Sequence, residues 1–313
     1  MVAFWRLFMR FLTTNTKMKN RDIMWGLLFV ATPVLSVILF VFLPALLSVY
    51  ISTIEWNGYI PLSQAAFVGF KNFALFLTNG GLYTKEFLNS LFVTINLMLF
   101  IPFCIAISFL LAFALNRKDL FMKNTLRLVY FLPFVSSAVA ITLVFKNLFD
   151  INGVINSIVA VFGVKDIVWL QSPGLSRVVI IVMLIWRNIG YTMLMYLAGL
   201  QGISQEIYEA ARIDGAGIWK TISKITLPSL RNITFFLVVT NVISGLQIYT
   251  ESAILFQSSM GKGPMNGTES MMVFLMYIYT GNNLGMSSAI SWAITVLVLL
   301  ATFIQFICKK NED

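Results

Sequence analysis

Two ionisable residues lie inside long apolar stretches of this sequence. Arg187 stands in the stretch 178–200 and Glu251 in the stretch 233–256. If these stretches cross a membrane, each charge costs free energy, so both residues are candidates for a solute pathway. An arginine and a carboxylate can both hydrogen-bond the hydroxyl groups of a polar solute. Two other interpretations stay open: the residues form a structural ion pair between helices, or Glu251 lies at the membrane interface and faces water.

Further polar and aromatic residues extend this candidate pathway. Ser244, Gln247 and Glu251 follow i, i+3 and i+7 spacing, which predicts that they share one face of a helix. Tyr191 and Phe134 supply aromatic faces on which the flat side of a solute can stack. These residue types indicate non-covalent binding of a polar molecule.

Several kinds of chemistry are excluded. The chain has no His, so it lacks imidazole bases, His metal ligands and His-based catalytic triads. Its two cysteines, Cys104 and Cys308, make neither a disulfide framework nor a metal site. No phosphate-binding loop of the G-x-x-x-x-G-K-S/T type occurs, because the nearest string, Gly261-Lys262-Gly263-Pro264, is too short. We therefore expect no catalytic site, no metal and no nucleotide on this chain.

Composition places the chain in a membrane. Hydrophobic residues make up 58% of the 313 residues and charged residues only 11%, which is too few to cover the surface of a soluble fold. Six stretches approach or exceed the roughly 20 apolar residues that a bilayer crossing needs. They are 25–50, 87–115, 128–145, 178–200, 233–256 and 287–308. The sequence therefore predicts an all-α, polytopic integral membrane protein with six transmembrane helices.

Basic residues predict the orientation of these helices. Most Lys and Arg residues fall in segments that would share one side of the membrane, namely 1–24, 116–127, 201–232 and 309–313. Because cytoplasmic loops carry an excess of positive charge, both termini and the loop 201–232 are predicted to be cytoplasmic. The net charge of +9 is thus explained by topology and does not indicate a nucleic-acid partner.

The loop 201–232 has the pattern of two helices. Ser204 can cap a helix start, and Glu206 follows in the first turn, where the helix dipole favours an acid. The residues that share one face of this helix are Ile207, Ala210, Ala211 and Asp214. Gly215 then ends the helix, and a second amphipathic piece runs to Pro228. The pattern predicts a helix–turn–helix that docks on another protein; the alternative is a loop that rests on its own helix bundle.

Seven positions in this loop carry a family resemblance. The spacing E-A-A-x3-G-x9-I-x-L-P is satisfied without a gap by Glu209, Ala210, Ala211, Gly215, Ile225, Leu227 and Pro228. This motif resembles the EAA loop of permeases from binding-protein-dependent ABC importers. The string Gly261-Lys262-Gly263-Pro264 with Thr268-Glu269 resembles the G-G-G-P…T-E stretch of the carbohydrate-uptake branch, except that Lys262 replaces a glycine.

The resemblance implies a fold and a set of partners. Family members have the type I ABC importer permease fold, and their EAA loop is a coupling helix that sits in a cleft of a cytoplasmic ATPase. The implied partners are a second homologous permease, two cytoplasmic ATPase subunits, an external solute-binding protein and membrane lipid. ATP and Mg²⁺ would be held by the ATPase subunits, so this chain would be a transport subunit without a cofactor. The implied location is the bacterial cytoplasmic (inner) membrane.

The resemblance also implies the solute. Members of the carbohydrate branch import sugars, and an oligosaccharide is the expected substrate; a polyol or glycerol phosphate is the alternative. An ion-coupled secondary transporter is a further alternative, although no clear internal repeat supports it. By resemblance, the solute contacts map onto Gly190, Met193, Ser244, Gln247 and Glu251.

The chain is predicted to divide into five segments. They are a cytoplasmic N-terminal segment 1–24, a first transmembrane helix 25–50, an external loop 51–86, a permease core 87–308 that includes the coupling loop 201–232, and a cytoplasmic tail 309–313. The resemblance covers the core and, in layout, the first transmembrane helix.

Overall fold

The computed structural model describes residues 20–310 except 79, 118, 119, 121, 165 and 166, with side chains described between residues 24 and 309. Nearly all of the predicted segment 1–24, and most of the tail 309–313, therefore lie outside the described residues. The chain forms two compact units, residues 1–51 and 52–313, and each is described by itself.

The first unit holds one long apolar helical stretch. It consists of α1 (Asn20–Val37), a π-helical turn (Ile38–Phe42) and α2 (Leu43–Ser52). The apolar part, Met24–Ser52, is 29 residues long, which exceeds the roughly 20 residues of a bilayer crossing. The hydroxyl groups of Thr32 and Ser36 donate to carbonyl groups four residues earlier, so these side chains need no water.

The described residues of the second unit form helices, connecting loops and one short hairpin. In the hairpin β1 (Ile54–Glu55) pairs antiparallel with β2 (Ala66–Phe67). The helices in chain order are α3 (Lys71–Leu77), α4 (Leu82–Leu97), α5 (Phe100–Leu115), α6 (Lys123–Val135), α7 (Ala138–Leu148), α8 (Val154–Val161), α9 (Pro173–Gln201), α10 (Gln205–Ile213), α11 (Ile218–Thr221), α12 (Leu227–Ser229), α13 (Arg231–Gly245), α14 (Thr250–Leu255), α15 (Met271–Thr280) and α16 (Leu284–Lys310). A second π-helical turn, Ile222–Thr226, joins α11 to α12.

Among the described residues, four helical stretches are long and apolar enough to cross a membrane. They are Met24–Ser52, Leu82–Leu115 (α4 with α5), Pro173–Gln201 (α9) and Leu284–Lys309 (α16). The count rises to six if each of two bent helix pairs forms one span: α6 with α7, bent by 98°, and Ile218–Ser229 with α13, bent by 67°. The prediction of an all-α polytopic membrane protein is confirmed.

The predicted third span, 128–145, is not a straight helix. α6 ends at Val135 and α7 begins at Ala138. At the break, the hydroxyl group and the N–H of Ser136 both donate to the carbonyl of Leu132, at 2.9 Å and 3.2 Å, so Ser136 caps the end of α6. The apolar run alone gives no sign of this break, because a serine is compatible with either conformation.

The predicted fifth span, 233–256, is interrupted as well. α13 ends at Gly245, and the next helix, α14, begins only at Thr250. The hydroxyl group of Ser270 donates to the carbonyl of Ile248, so a side chain 22 positions further along satisfies the backbone at the break. Glu251 therefore lies on a separate short helix.

Three hydrophobic clusters hold the second unit together, and α9 takes part in two of them. The first cluster joins α4, α5, α7, α9 and α14; the second joins α3, α4, α15 and α16; the third joins α5, α9 and α13. The most extensive helix contact is between α9 and α5, followed by that between α9 and α6. This packing fixes the rotation of α9, which carries Arg187 and Tyr191.

Candidate functional site

The loop 201–232 forms a helix–turn–helix. The first helix, α10, begins after Ser204, whose hydroxyl oxygen accepts a hydrogen bond of 3.3 Å from the N–H of Glu206. α10 ends in a Schellman motif, in which the N–H of Ala216 donates to the carbonyl of Ala211 at 2.9 Å. Gly215 has a φ of +70°, a left-handed conformation that residues with a Cβ rarely adopt. The glycine of the motif is therefore required by the turn itself.

The second arm of the loop runs from Ile218 to Ser229. Pro228 lies in its last turn, and the chain bends by 67° between this arm and α13. The hydroxyl groups of Tyr208 in α10 and Thr226 in the second arm lie 3.3 Å apart. This hydrogen bond links the two arms into one unit.

The loop exposes an apolar surface with a cleft between its arms. Ile213 is 87% exposed and Trp219 is 79% exposed. Glu209 is also exposed, and its carboxylate accepts a hydrogen bond of 2.9 Å from the Gln205 amide. The cleft has a volume of about 390 Å³, and its lining residues are Ile207, Ala210, Ala211, Asp214, Ala216, Lys220, Lys224 and Ile225. Of the predicted helix face, Ala211 alone is buried by the described part of the chain, which leaves Ile207, Ala210 and Asp214 uncovered by these residues.

A larger cavity lies on the other side of α10. It has a volume of about 980 Å³ and separates α10 from the end of α5. Asn116 and Arg117 line it from the α5 side, and Glu209 and Arg212 line it from α10. Among the described residues, no side chain fills this space between α10 and the end of α5.

Arg187 of α9 and Glu251 of α14 form an ion pair. The Arg187 Nη1 donates to the Glu251 Oε1 at 2.8 Å, and the side chains are 29% and 7% exposed. Of the three interpretations, the ion pair between helices is thus formed, and a Glu251 that faces water is wrong. The Arg187 Nε is buried and has no acceptor among the described residues. This donor is shielded from solvent, so it is not available to a solute in this conformation.

The predicted polar stripe on one helical face is wrong. Because α13 ends at Gly245, Gln247 and Glu251 do not continue the helix of Ser244. Ser244 and Gln247 are exposed, whereas Glu251 is buried. Residues at i, i+3 and i+7 share a face only on a continuous helix, and here the chain is not helical over 246–249.

The two aromatic residues of the candidate pathway lie together. The rings of Phe134 in α6 and Tyr191 in α9 are stacked, with centroids 4.8 Å apart and an interplanar angle of 15°. The ring of Phe131 stacks on the same Phe134 at 5.7 Å. The structure therefore places a small aromatic platform one helical turn from Arg187.

Gly190 and Met193 lie inside the helix packing. A Cβ at Gly190 would overlap the carbonyl oxygen of Tyr130, so α6 crosses α9 in direct backbone contact. Met193 is fully buried in the cluster that also holds Tyr196 and Leu237. Their contact with a solute stays a prediction, while their packing role is visible.

An ionic cluster around Lys262 joins residues that no local pattern connects. The Lys262 Nζ lies 3.1 Å from Glu86 Oε1 in α4 and 3.0 Å from Glu269 Oε1, the latter a charge contact and not a directed hydrogen bond. The ammonium also lies 3.4 Å from the centroid of the Tyr277 ring. From the sequence, Lys262 is only a departure from a glycine pattern, because its partner Glu86 is 176 positions away.

Burial and charge act in opposite directions on this cluster. Burial lowers the pKa of Lys262, but the carboxylates of Glu269 and Glu86 raise it further, and the net pKa lies above the ordinary lysine value. Burial raises the pKa of Glu269 and outweighs the lowering by Lys262. Two carboxylates thus share one ammonium, and removal of that ammonium would leave both poorly compensated.

Comparison with known proteins assigns the chain to a family. The family described as the binding-protein-dependent transport system inner membrane component matches residues 89–311. The chain belongs to this family. The permease is 31% identical over 307 residues to the lactose transport system permease protein LacF of Rhizobium radiobacter, covering 96% of this chain and 99% of that protein. It is 28% identical over 292 residues to the trehalose/maltose transport system permease protein MalF of Thermococcus litoralis, covering 93% and 95%.

Two further similarities extend this result. The permease is 29% identical over 284 residues to the arabinooligosaccharides transport system permease protein AraP of Bacillus subtilis, covering 89% of this chain and 86% of that protein. One chain in the crystal structure of a bacterial ABC transporter involved in the import of the acidic polysaccharide alginate superposes with a TM-score of 0.77 at 20% identity, covering 93% of this chain and 96% of that chain. The ABC importer permease fold is thereby confirmed, and the chain is a membrane-spanning component of a transport system.

Gly190→Ala is expected to destabilise the permease by about 1–3 kcal/mol, because a methyl group there forces α6 away from α9. The matched control is Gly174→Ala in the same helix, where a Cβ has nothing within 4 Å. Thermal unfolding in detergent should show a lower midpoint for Gly190→Ala and an unchanged or higher midpoint for Gly174→Ala. Equal midpoints for the two variants would contradict the close helix crossing.

Proposed function

We propose that this permease imports an oligosaccharide, together with a second homologous permease, two cytoplasmic ATPase subunits and an external solute-binding protein. It lies in the bacterial cytoplasmic membrane with both termini and the loop 201–232 in the cytoplasm. The ATPase subunits bind ATP and Mg²⁺ and hydrolyse ATP, and this chain performs no covalent chemistry. It supplies part of the solute path and the surface through which the ATPase acts.

The observation that carries the proposal is the shape of the loop 201–232. It presents exposed Ile213 and Trp219 beside a cleft, which is the kind of apolar surface that a protein partner covers. The exposed carboxylate of Glu209 adds a charge that a basic group on the ATPase can pair with. Lipid does not explain this surface, because the basic residues in and around the loop predict that it lies in the cytoplasm.

The loop is connected so that it can move the solute path. Its first arm follows α9 after three residues, and its second arm leads directly into α13. α9 carries Arg187, and the segment after α13 carries Glu251. Because the Tyr208–Thr226 hydrogen bond links the two arms, a displacement of the loop by the ATPase acts on both helices together. Alternating access then follows from rigid-body motion of packed helices.

The sugar substrate is supported by the relatives and by the residues near Arg187. The relatives named above transport lactose, trehalose or maltose, and arabinooligosaccharides. The Arg187 side chain is 29% exposed, and its guanidinium carries hydrogen-bond donors for a hydroxyl oxygen. The Phe134–Tyr191 platform offers an aromatic face for a pyranose ring. Neutral sugars suit this site, because the charge of Arg187 is already matched by Glu251.

Uptake of labelled solutes by cells with and without this permease tests the proposal. The panel contains lactose, maltose, trehalose, an arabinooligosaccharide, a polyol and glycerol phosphate. We expect saturable uptake of at least one oligosaccharide, lost when the external binding protein is deleted. Uptake of only the polyol or glycerol phosphate would overturn the sugar assignment. Uptake that needs no binding protein and stops when the ion gradient is collapsed, with ATP maintained, would overturn ATP-driven import.

A further inference from the structure

The segment 261–270 between α14 and α15 carries two charges and is buried at both ends, at Gly261 and over 267–270, whereas Met265 in its middle is 90% exposed. Glu269 is fully buried and the Lys262 side chain is 12% exposed. The carbonyl of Lys262 accepts from the N–H of Thr268, and the Thr268 hydroxyl donates to the carbonyl of Gly261, both at 2.9 Å. These hydrogen bonds close the segment into a loop whose two ends are buried in the fold.

One side of this segment is fixed to α4. The Lys262 ammonium pairs with Glu86, and the Asn89 amide donates to the carbonyl of Asn266 at 3.1 Å. The N–H of Met271, the first residue of α15, donates to the Thr94 hydroxyl at 2.9 Å. Residues of α4 thus hold the segment over more than two helical turns.

The other side of the segment supports the helix that carries Glu251. The Ser270 hydroxyl donates to the carbonyl of Ile248, which lies in the break between α13 and α14. Gly261 packs against the backbone of Ala253 in α14 so closely that an added Cβ would lie 3.1 Å from it. Both ends of the segment therefore contact the short piece of chain, residues 246–255, on which Glu251 is placed.

We propose that Lys262 is a positioning residue of the solute path: its ammonium, held between Glu86 and Glu269, fixes the segment 261–270 so that Glu251 stands opposite Arg187. This inference rests on the proposed function only in taking the Arg187–Glu251 pair as part of that path. The chain of contacts runs from α4 through the segment to α14 and then across the ion pair to α9.

Charge explains why lysine is suited to this place. Two buried carboxylates require a positive partner, since desolvation and mutual repulsion both act against them. The compact ammonium contacts both carboxylates and the Tyr277 ring at once. Loss of Lys262 should therefore release the segment, and neutralising both acids as well should restore it.

Hydrogen–deuterium exchange on the complete transporter in lipid nanodiscs tests this inference. In Lys262→Met we expect peptides from 261–270 and also from 246–256 to exchange at least about tenfold faster, which corresponds to ~1.4 kcal/mol of local opening free energy. Peptides from α10 should not change. The triple variant Lys262→Met/Glu86→Gln/Glu269→Gln should return both regions towards the original rate.

Lys71→Met is the matched control, because Lys71 forms a 3.2 Å ion pair with Glu55 in which both side chains are more than half exposed. Lys71→Met should leave the exchange rates of 261–270, 246–256 and α10 unchanged. Faster exchange in 261–270 alone would overturn the positioning role, as would unchanged exchange in both regions. If Lys262→Met fails to assemble, Glu86→Gln should show the same pattern with a smaller amplitude.

A mutant cycle on solute affinity tests whether Lys262 acts through Glu251 or only stabilises the fold in general. If Lys262 acts through Glu251, Lys262→Met should lower the apparent solute affinity in the original background and add little in Arg187→Met/Glu251→Gln. Additive losses would contradict the inference. The exchange measurement needs no transported solute, so a failure of the sugar-uptake test leaves its result interpretable.

Discussion

Gly215→Val is expected to lower solute-stimulated ATP hydrolysis by roughly tenfold, because a left-handed backbone costs a residue with a Cβ about 1–2 kcal/mol. Gly215 adopts a φ of +70° where α10 turns into the second arm, and a Cβ there would have nothing within 4 Å. The effect therefore comes from the backbone of the turn and not from a clash inside this chain. The assay is ATP hydrolysis by the purified complex with and without its loaded binding protein.

Gly217→Val is the matched control for this prediction. Gly217 lies two residues further on, has a φ of −67° and is equally free of neighbours. Gly215→Asn should retain much of the activity, since asparagine tolerates the left-handed region. If Gly215→Val and Gly217→Val show equal solute-stimulated ATP hydrolysis, the turn at Gly215 is not part of the coupling surface.

Arg187→Met is expected to reduce solute uptake strongly, because it leaves the buried carboxylate of Glu251 without its partner. Breaking one side of a buried ion pair typically costs about 3–5 kcal/mol, and here the partner is only 7% exposed. The loss should appear in initial uptake rates at equal amounts of assembled transporter, determined by quantitative immunoblotting.

The double variant Arg187→Met/Glu251→Gln separates charge balance from solute binding. Assembly and stability should recover relative to Arg187→Met, since no uncompensated charge remains. Solute affinity should stay low, because the guanidinium donors of Arg187 are also lost. Full recovery of uptake in the double variant would show that the pair is structural and takes no part in solute binding.

The parts that sequence analysis predicted correctly depend on local chemistry. Ser204, Gly215 and Pro228 mark the start, turn and end of the helix–turn–helix, and each acts through its own backbone or through neighbours a few positions away. The apolar stretches are similarly local, since their length and composition suffice to predict membrane helices.

The parts that sequence analysis missed depend on distant partners. The break after Gly245 is satisfied by Ser270, and the position of Lys262 is set by Glu86 and Glu269. The close crossing at Gly190 is decided by the backbone of α6. No periodicity encodes such contacts, so a polar stripe predicted from i, i+3, i+7 spacing failed where the helix ended early.

ATP hydrolysis by the assembled complex tests the central claim most directly. The complex, reconstituted in lipid nanodiscs, is measured alone, with empty binding protein and with binding protein loaded with the transported sugar. We predict that the loaded binding protein stimulates hydrolysis well above both other states. Two results would contradict the claim. The first is a rate of ATP hydrolysis that the loaded binding protein does not change. The second is a permease that purifies without an ATPase and transports solute with an ion gradient as the energy source.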